Sequence, residues 1–589
     1  MSRSTSRSRT RTGALAAGLA ALAVLAVFDG QPAGATRFHD GATSTVRSSV
    51  PQQPSPAAEF NVRDYGAKGD GSSNDTPALQ KAVDAAAAAG GGTVRLPGDG
   101  RATYESKNTL HMKSEVTLQI DKGATLSGNG ADDYDPPEPN EWDDYQDYGH
   151  SHFHNAMIHG DRLSDIAFVG EGVIDGDGAL ITGDPKSGEA DKIISLTRCK
   201  GLRLGDGLTL REGGHFAALV NGCDDVVSDR LTIDTAMDRD GWNVINTTDV
   251  TITNAHLDAN DDALAFKSDY ALGAKLSNGR VRVSDSYLSA GCCNALMFGS
   301  ETCGDFTDYR FERIRIEGSE KSGLGMVSMD GSKISDVHYK DITMTGVRSP
   351  IMQKIGDRKR CGNNPGVGSI SDVTYTDIKA TGASPSFSPT LWGESGQSRI
   401  KDVTFTDVDL TVPGGNGTMS TGVPSNKSTD YNPKSIGTRP AYGWYIRRAD
   451  RVTFVDSEVR FASNDGRPAV IANESTGIRF TAFTAQRGSS SPADLVFLYG
   501  IPGDTFIAGD WNADSTDTVG IRRDGIWFLK NTNANGDAVV ADQPQVVRGA
   551  NRSDRVGGEP VLETEAELRV ELARLHVGVG RGLDPGSDP

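Results

Sequence analysis

Asp240 and the adjacent pair Asp261 and Asp262 place three carboxylates 21 residues apart, within a run of loosely repeated segments. A repeat of that length is about one turn of a parallel β-solenoid, in which successive coils stack. Residues one coil apart then stand one strand spacing apart, about 4.7–4.9 Å, and can share a patch. Neighbours in a regular strand point to opposite faces, so Asp261 and Asp262 meet in one cleft only where the chain bends or bulges. Three carboxylates in one cleft suit acid/base hydrolysis of a glycosidic bond. Ionising all three is costly, so one stays protonated for the leaving oxygen while the others activate water.

The residues around the three acids resemble a known family. Asp240-Gly241, followed by Asp261-Asp262-Ala263-Leu264-Ala265-Phe266-Lys267-Ser268, is similar to the glycoside hydrolase family of polygalacturonases and rhamnogalacturonan hydrolases. The stretch Phe60 to Gly71, with Asn74-Asp75-Thr76-Pro77 after it, resembles the opening of the wider pectin-active β-helix superfamily. The resemblance implies a right-handed parallel β-helix, with Asp261 as general acid and Asp240 and Asp262 as the carboxylates that activate water. It also implies an inverting single displacement, for which acid and base stand about 6.5–9.5 Å apart. Lys267 falls on a family lysine and is expected to contact substrate. The family's Gly-His-Gly falls on Cys293-Asn294-Ala295, so Asn294 replaces the histidine and is expected to contact sugar. The family's Arg-Ile-Lys, which holds a substrate carboxylate, falls near Gly325-Met326-Val327 with no base present. A rhamnose-containing or substituted pectic region is therefore expected ahead of plain polygalacturonate.

Two further substrate contacts come from the chain itself. Glu301 follows Gly299-Ser300 just past the third motif, as an additional subsite carboxylate. His150, His152, His154 and His159 cluster beside Trp142, Tyr145 and Tyr148, and rings of this kind suit the apolar faces and polar edges of sugars. His154 represents that loop among the expected contacts, and neither metal nor cofactor is expected. Two rival functions share the fold. A polysaccharide lyase would need a basic residue in the Asp240–Asp262 patch, where none is expected, and a non-catalytic carbohydrate-binding β-helix would leave the acids as a solvated turn.

Arg3, Arg7, Arg9 and Arg11, the apolar run Ala14 to Val27, and Ala33-Gly34-Ala35 read as an export signal over residues 1–35, so secretion is expected. Removing it takes the formal charge from −19 to −22, which disfavours nucleic acid and membrane as partners and leaves a polysaccharide substrate and a monomer as the expectation. Six cysteines in an exported chain point to disulfides. Cys199 and Cys223 begin similar segments and fit stacked coils, while spacing leaves Cys292, Cys293, Cys303 and Cys361 open.

Elements that could position these groups follow from the pattern. Residues 36–58 read as a flexible linker and 59–490 as the β-helix. Thr76 to Ala89 should be a helix capped by Asn74 or Asp75, closing the first coil. Strands beginning Asp225-Val226, Asp249-Val250, Asp336-Val337, Asp372-Val373 and Asp402-Val403 recur, with weaker copies at Arg280-Val281 and Asp308-Tyr309. The leading Asp residues are read as turn residues. Residues 491–550 read as a small Asp-rich β module, where Asp510, Asn512, Asp514 and Asp517 could offer oxygens to calcium without the glycine and distal glutamate of an EF-hand. Residues 551–589 read as a tail with a short helix.

Overall fold

The computed structural model describes residues 58–486 and 488, apart from 129–132, 236–237, 363–364 and 418–421. Beyond them it describes the backbone of strands Leu495–Leu498, Thr505–Gly509, Thr518–Arg523 and Ile526–Phe528. The export signal, most of the linker, the four candidate calcium ligands and the tail lie outside the described residues.

One coil shows how the chain winds. Strand Asp240–Ile245 leads to Thr248–Thr253, then to His256–Ala259, and the chain returns as Leu264–Ser268 directly above its start. Each strand pairs in parallel with its counterpart one coil away, so three parallel sheets run the length of a right-handed β-helix, the class expected. The repeat steps are set by these registers: Val226 pairs with Val250, Val250 with Val281, Val281 with Tyr309, and Tyr309 with Val337. The two weak copies are therefore full coils. Alternate residues fill the interior, among them Trp242, Val244, Leu264, Phe266, Leu296 and Phe298. Higher up, Phe311, Tyr339, Tyr375, Phe405 and Phe454 stack with ring centroids 5.0, 4.8, 4.9 and 4.8 Å apart, so each coil buries its ring on the next.

The leading residues of the repeats are more than turn residues. Asp225, Asp249, Arg280, Asp308, Asp336, Asp372 and Asp402 all take left-handed φ, between 54° and 63°, inside one sheet edge. Asp tolerates that conformation better than most residues, and the kink bends each coil at the same corner. Charges alternate where they can: Arg280 holds Asp249 through two bonds of 2.6 Å.

The helix Thr76–Ala88 forms as expected and buries Leu79, Ala82, Val83 and Ala86. Its capping differs. Asp75 makes no side-chain cap bond and instead accepts from the Lys68 and Gly69 backbone at 2.7 and 3.1 Å, while Asn74 accepts from Thr76 N–H at 3.2 Å. The parallel ladder also runs past residue 490, since Val470–Asn473 pairs with Leu495–Leu498. Strands Thr505–Gly509, Thr518–Arg523 and Ile526–Phe528 form an antiparallel sheet. Cys199 and Cys223 are bridged across adjacent coils, Cys303 is bridged to Cys361, and Cys292 and Cys293 are free.

Candidate active site

Two adjacent rungs of one sheet carry the acids. Asp240 opens its strand, and its N–H donates to the His215 carbonyl on the rung below at 3.0 Å. Asp261 and Asp262 sit in the corner between His256–Ala259 and Leu264–Ser268, where the chain bends. That bend lets neighbours share a cleft. Asp261 N–H donates to the Arg239 carbonyl at 2.9 Å and Gly241 N–H to the Asp262 carbonyl at 2.9 Å, locking the corner onto the rung below. Gly241 is required there, because a Cβ would lie 2.5 Å from the Ala263 carbonyl oxygen. One oxygen from each of Asp240, Asp261 and Asp262 lies within 4.8 Å of the others, and all three line one small recess. This is closer than the about 6.5–9.5 Å expected between an inverting acid and base. The reason is geometric: side chains in register on adjacent rungs inherit the strand spacing.

Their environments differ. Asp262 is buried and pushed up to about 7, first by burial and then by Asp261 and Asp240. Burial would also raise Asp240, but Lys267, His215, the Asn243 amide and Arg239 together bring it below the usual carboxylate range. Asp261 is the member with an exposed edge, its side chain 17% accessible and 3.5 Å from Arg239 Nη2. One carboxyl that keeps its proton beside one held ionised is an acid/base arrangement. The three oxygens also fit a small cation, as do Asp261, Cys292 and Cys293, but Lys267 Nζ already stands 3.2 Å from Asp240 Oδ2 as its counter-charge.

Comparison with known proteins agrees with this geometry. The model for glycosyl hydrolases family 28 matches residues 98–429, more than half of the chain. The chain belongs to this family. A second model, rhamnogalacturonase A/epimerase, pectate lyase-like, matches residues 59–133. A polygalacturonase of Malus domestica is 24% identical over 369 residues, covering 59% of this chain and 74% of the apple protein. The mannuronan C5-epimerase AlgE3 of Azotobacter vinelandii is 53% identical over 64 residues, 10% of this chain and only 4% of its own length. Among solved structures, the family 28 exopolygalacturonase of Yersinia enterocolitica has the same fold, with a TM-score of 0.53 at 18% identity over 72% of this chain and 78% of its own.

In this family 28 glycosidase the other expected site residues fall in different places. Lys267 lines the recess, buried, with Nζ 3.2 Å from Asp240 Oδ2, 3.3 Å from His150 Nε2 and 3.9 Å from Glu301 Oε2. Burial opposes its charge, yet Asp240 and Glu301 raise its pKa. Asn294 has a structural task. Its Nδ2 donates to Asp262 Oδ1 at 2.7 Å and its Oδ1 accepts from Ser322 N–H at 3.2 Å, so it holds Asp262 in place. Glu301 lines the recess floor but is already paired: Oε1 accepts from Arg360 at 2.9 Å and from Ser300 at 3.0 Å, with Arg358 at 3.6 Å. Burial works against its charge, but His150, Arg358, Lys267 and Arg360 hold it well below the usual carboxylate range. His154 is not in the recess. It is half-exposed, 3.9 Å from Glu138 and packed on His159 at 4.7 Å. His150 of the same loop takes that place, buried, with its pKa lowered to about 4 by burial and then Lys267.

Sequence reasoning missed several members. Arg239 and His215 line the recess, each the immediate neighbour of a strand start in register. Tyr431 also lines it, and its hydroxyl accepts from Lys321 Nζ at 3.0 Å. Burial would lower Lys321, but Asp262, Tyr431 and Asp261 raise its pKa, which places a cation beside the acids. The expectation that this patch lacks a base is therefore overturned. The lysine precedes Gly325 by four residues and lies where the ladder is bulged between Ser319 and Ser322.

Proposed function

We propose that this glycosidase is an exported enzyme that hydrolyses pectic polysaccharide beside a uronate residue, by single displacement. The observation that carries the reading is the triad on successive rungs with one proton-retaining and one ionised carboxyl, flanked by Lys267, Arg239 and Lys321. The cations would neutralise a sugar carboxylate through charge-assisted bonds, and the names of the polygalacturonase relatives support a pectic substrate. An Arg-rich, apolar opening and two disulfides support export.

In this reading the buried Asp262, pushed up to about 7 by burial and by the neighbouring Asp261 and Asp240, keeps the proton of the cluster near neutral pH. Asp261, at the open edge, delivers that proton to the leaving oxygen. Asp240 takes a proton from water as its oxygen bonds to the anomeric carbon, with Asp262 flanking it. None of the three cations suits the lyase alternative, because Lys267, Lys321 and Arg239 are all held protonated against burial by their acidic neighbours.

Product analysis on homogalacturonan, rhamnogalacturonan and neutral glycans tests this reading. Saturated reducing ends are expected, released with inverted configuration by NMR, and Asp261→Asn should slow release by about 10²–10⁴-fold. Unsaturated uronides, retained configuration, or an unaffected Asp261→Asn rate would overturn it.

A further inference from the structure

Two buried polar atoms face each other on the rungs below Asp240 without a bond between them. His215 Nδ1 lies 3.8 Å from Asp191 Oδ2, and among the described residues neither atom has a hydrogen-bond partner. Asp191 is wholly buried and His215 nearly so, at 6% exposure. Leaving such atoms unpaired costs about 1–3 kcal/mol each, and a shift of about 1 Å would join them in an ordinary bond.

The backbone lines these residues up with the triad. His215 N–H donates to the Asp191 carbonyl at 2.8 Å, and Asp240 N–H donates to the His215 carbonyl at 3.0 Å. The other Asp191 oxygen is already held by Asn155 Nδ2 at 2.6 Å and by Lys192 Nζ, so only Oδ2 is left for the imidazole. The ring is closely packed. It stacks on Phe216 with centroids 4.2 Å apart, and Gly149 closes over it so tightly that a Cβ would lie 2.8 Å from Cε1 and 2.9 Å from Nδ1. With Nδ1 turned to Asp191 and Cε1 to Gly149, Nε2 is the nitrogen left for the recess that His215 lines with Asp240. The motif position where the family resemblance places a histidine holds Asn294 here, whose amide bonds Asp262 and Ser322.

We propose that Asp191 and His215 form a buried dyad serving Asp240. Asp191 is a positioning residue that fixes the imidazole with its proton on Nδ1. Nε2 then accepts a hydrogen bond from the attacking water and turns that water toward the sugar. The proton balance is unchanged: the water oxygen bonds to the anomeric carbon, its proton passes to Asp240, the leaving oxygen is protonated by the Asp261–Asp262 pair, and His215 gains and loses nothing. The inference rests on hydrolysis by the triad and not on which glycan is cleaved.

The test uses whichever polymer the full-length wild type cleaves. His215→Ala is expected to lower kcat by about 100-fold with KM within about threefold, and added imidazole should restore part of the rate by refilling the space between Phe216 and Gly149. Asp191→Asn should lower kcat by about tenfold in the wild type and by nothing further in His215→Ala. An unchanged kcat in His215→Ala, a loss confined to KM, the absence of imidazole rescue, or multiplicative losses in the double variant would each overturn the dyad. If Asp191→Asn does not fold, the His215→Ala rescue still decides. Failure of the hydrolase reading looks different, since the wild type itself would then release no product from any polymer.

Discussion

Asp240 is ionised because Lys267 answers its charge, not because water does. Both groups are buried, and removing one partner of a buried pair leaves the other with its full desolvation cost. In Lys267→Met, burial of Asp240 is opposed only by the weaker effects of His215, Asn243 and Arg239. The sign follows: the wild-type carboxyl lies below its usual range and stays a base into mild acid, whereas the variant's pKa rises and the base is lost earlier as pH falls. We expect the acidic limb of kcat/KM against pH to move toward neutrality in Lys267→Met, with the alkaline limb, set by Asp262, moving upward too because Lys267 also lowers that carboxyl. An acidic limb that stays in place would mean that Lys267 does not hold Asp240 ionised. At this scale the three acids were legible because their spacing matches one coil and their neighbours resemble a family. Arg358 and Arg360 were not legible, and the loop histidine chosen was His154 where His150 lines the recess. Lys267 and His150 are 117 positions apart in sequence, and no local pattern announces that a loop folds back over the sheet.

The rungs explain why an Asp-Val start recurs where a turn was read. Each leading residue kinks its strand at a left-handed φ, and the kinks align because the strands are in register. The alternation of apolar residues made the coils readable, whereas backbone handedness leaves only the weak trace of Asp, Asn and Arg at those sites. Asp372, with φ of 55°, isolates the effect because its one side-chain bond is to the neighbouring Ser371 hydroxyl. Replacing it with Val should destabilise the fold by about 1–2 kcal/mol, while Asp372→Gly, which adopts that φ freely, should cost little or nothing. Denaturant unfolding of the two variants against wild type measures the difference, and equal losses would show that the side chain, not the backbone, matters there. The N-terminal helix was legible from its Pro and Gly signals. Its cap was not, because Asp75 is diverted to the Lys68–Gly69 backbone, a tertiary use that the local sequence does not encode.

The whole molecule and its recess carry opposite signals to an acidic polymer. The chain has a formal charge of −19, whereas Lys267, Arg239 and Lys321 gather around the triad. Lys267 and Arg239 are paired with carboxylates at a few ångströms, so beyond the recess their field is largely cancelled and the net negative charge dominates. Screening lengths decide which signal an approaching polyuronate meets: about 30 Å at 0.01 M salt and about 10 Å at 0.1 M. At low salt the polymer meets the repulsion of the whole surface, and at higher salt only the local cations. We therefore expect kcat/KM on a polyuronate to rise between about 0.01 and 0.15 M salt, and to stay flat on a neutral glycan that the enzyme cleaves. Lys321→Gln should lower the rate on the polyuronate across that range without altering the direction of its salt dependence, because it removes a short-range contact and not the long-range field. A rate that falls with added salt would mean that the basic groups of the recess steer substrate from a distance, and the separation of long-range repulsion from local attraction would be lost.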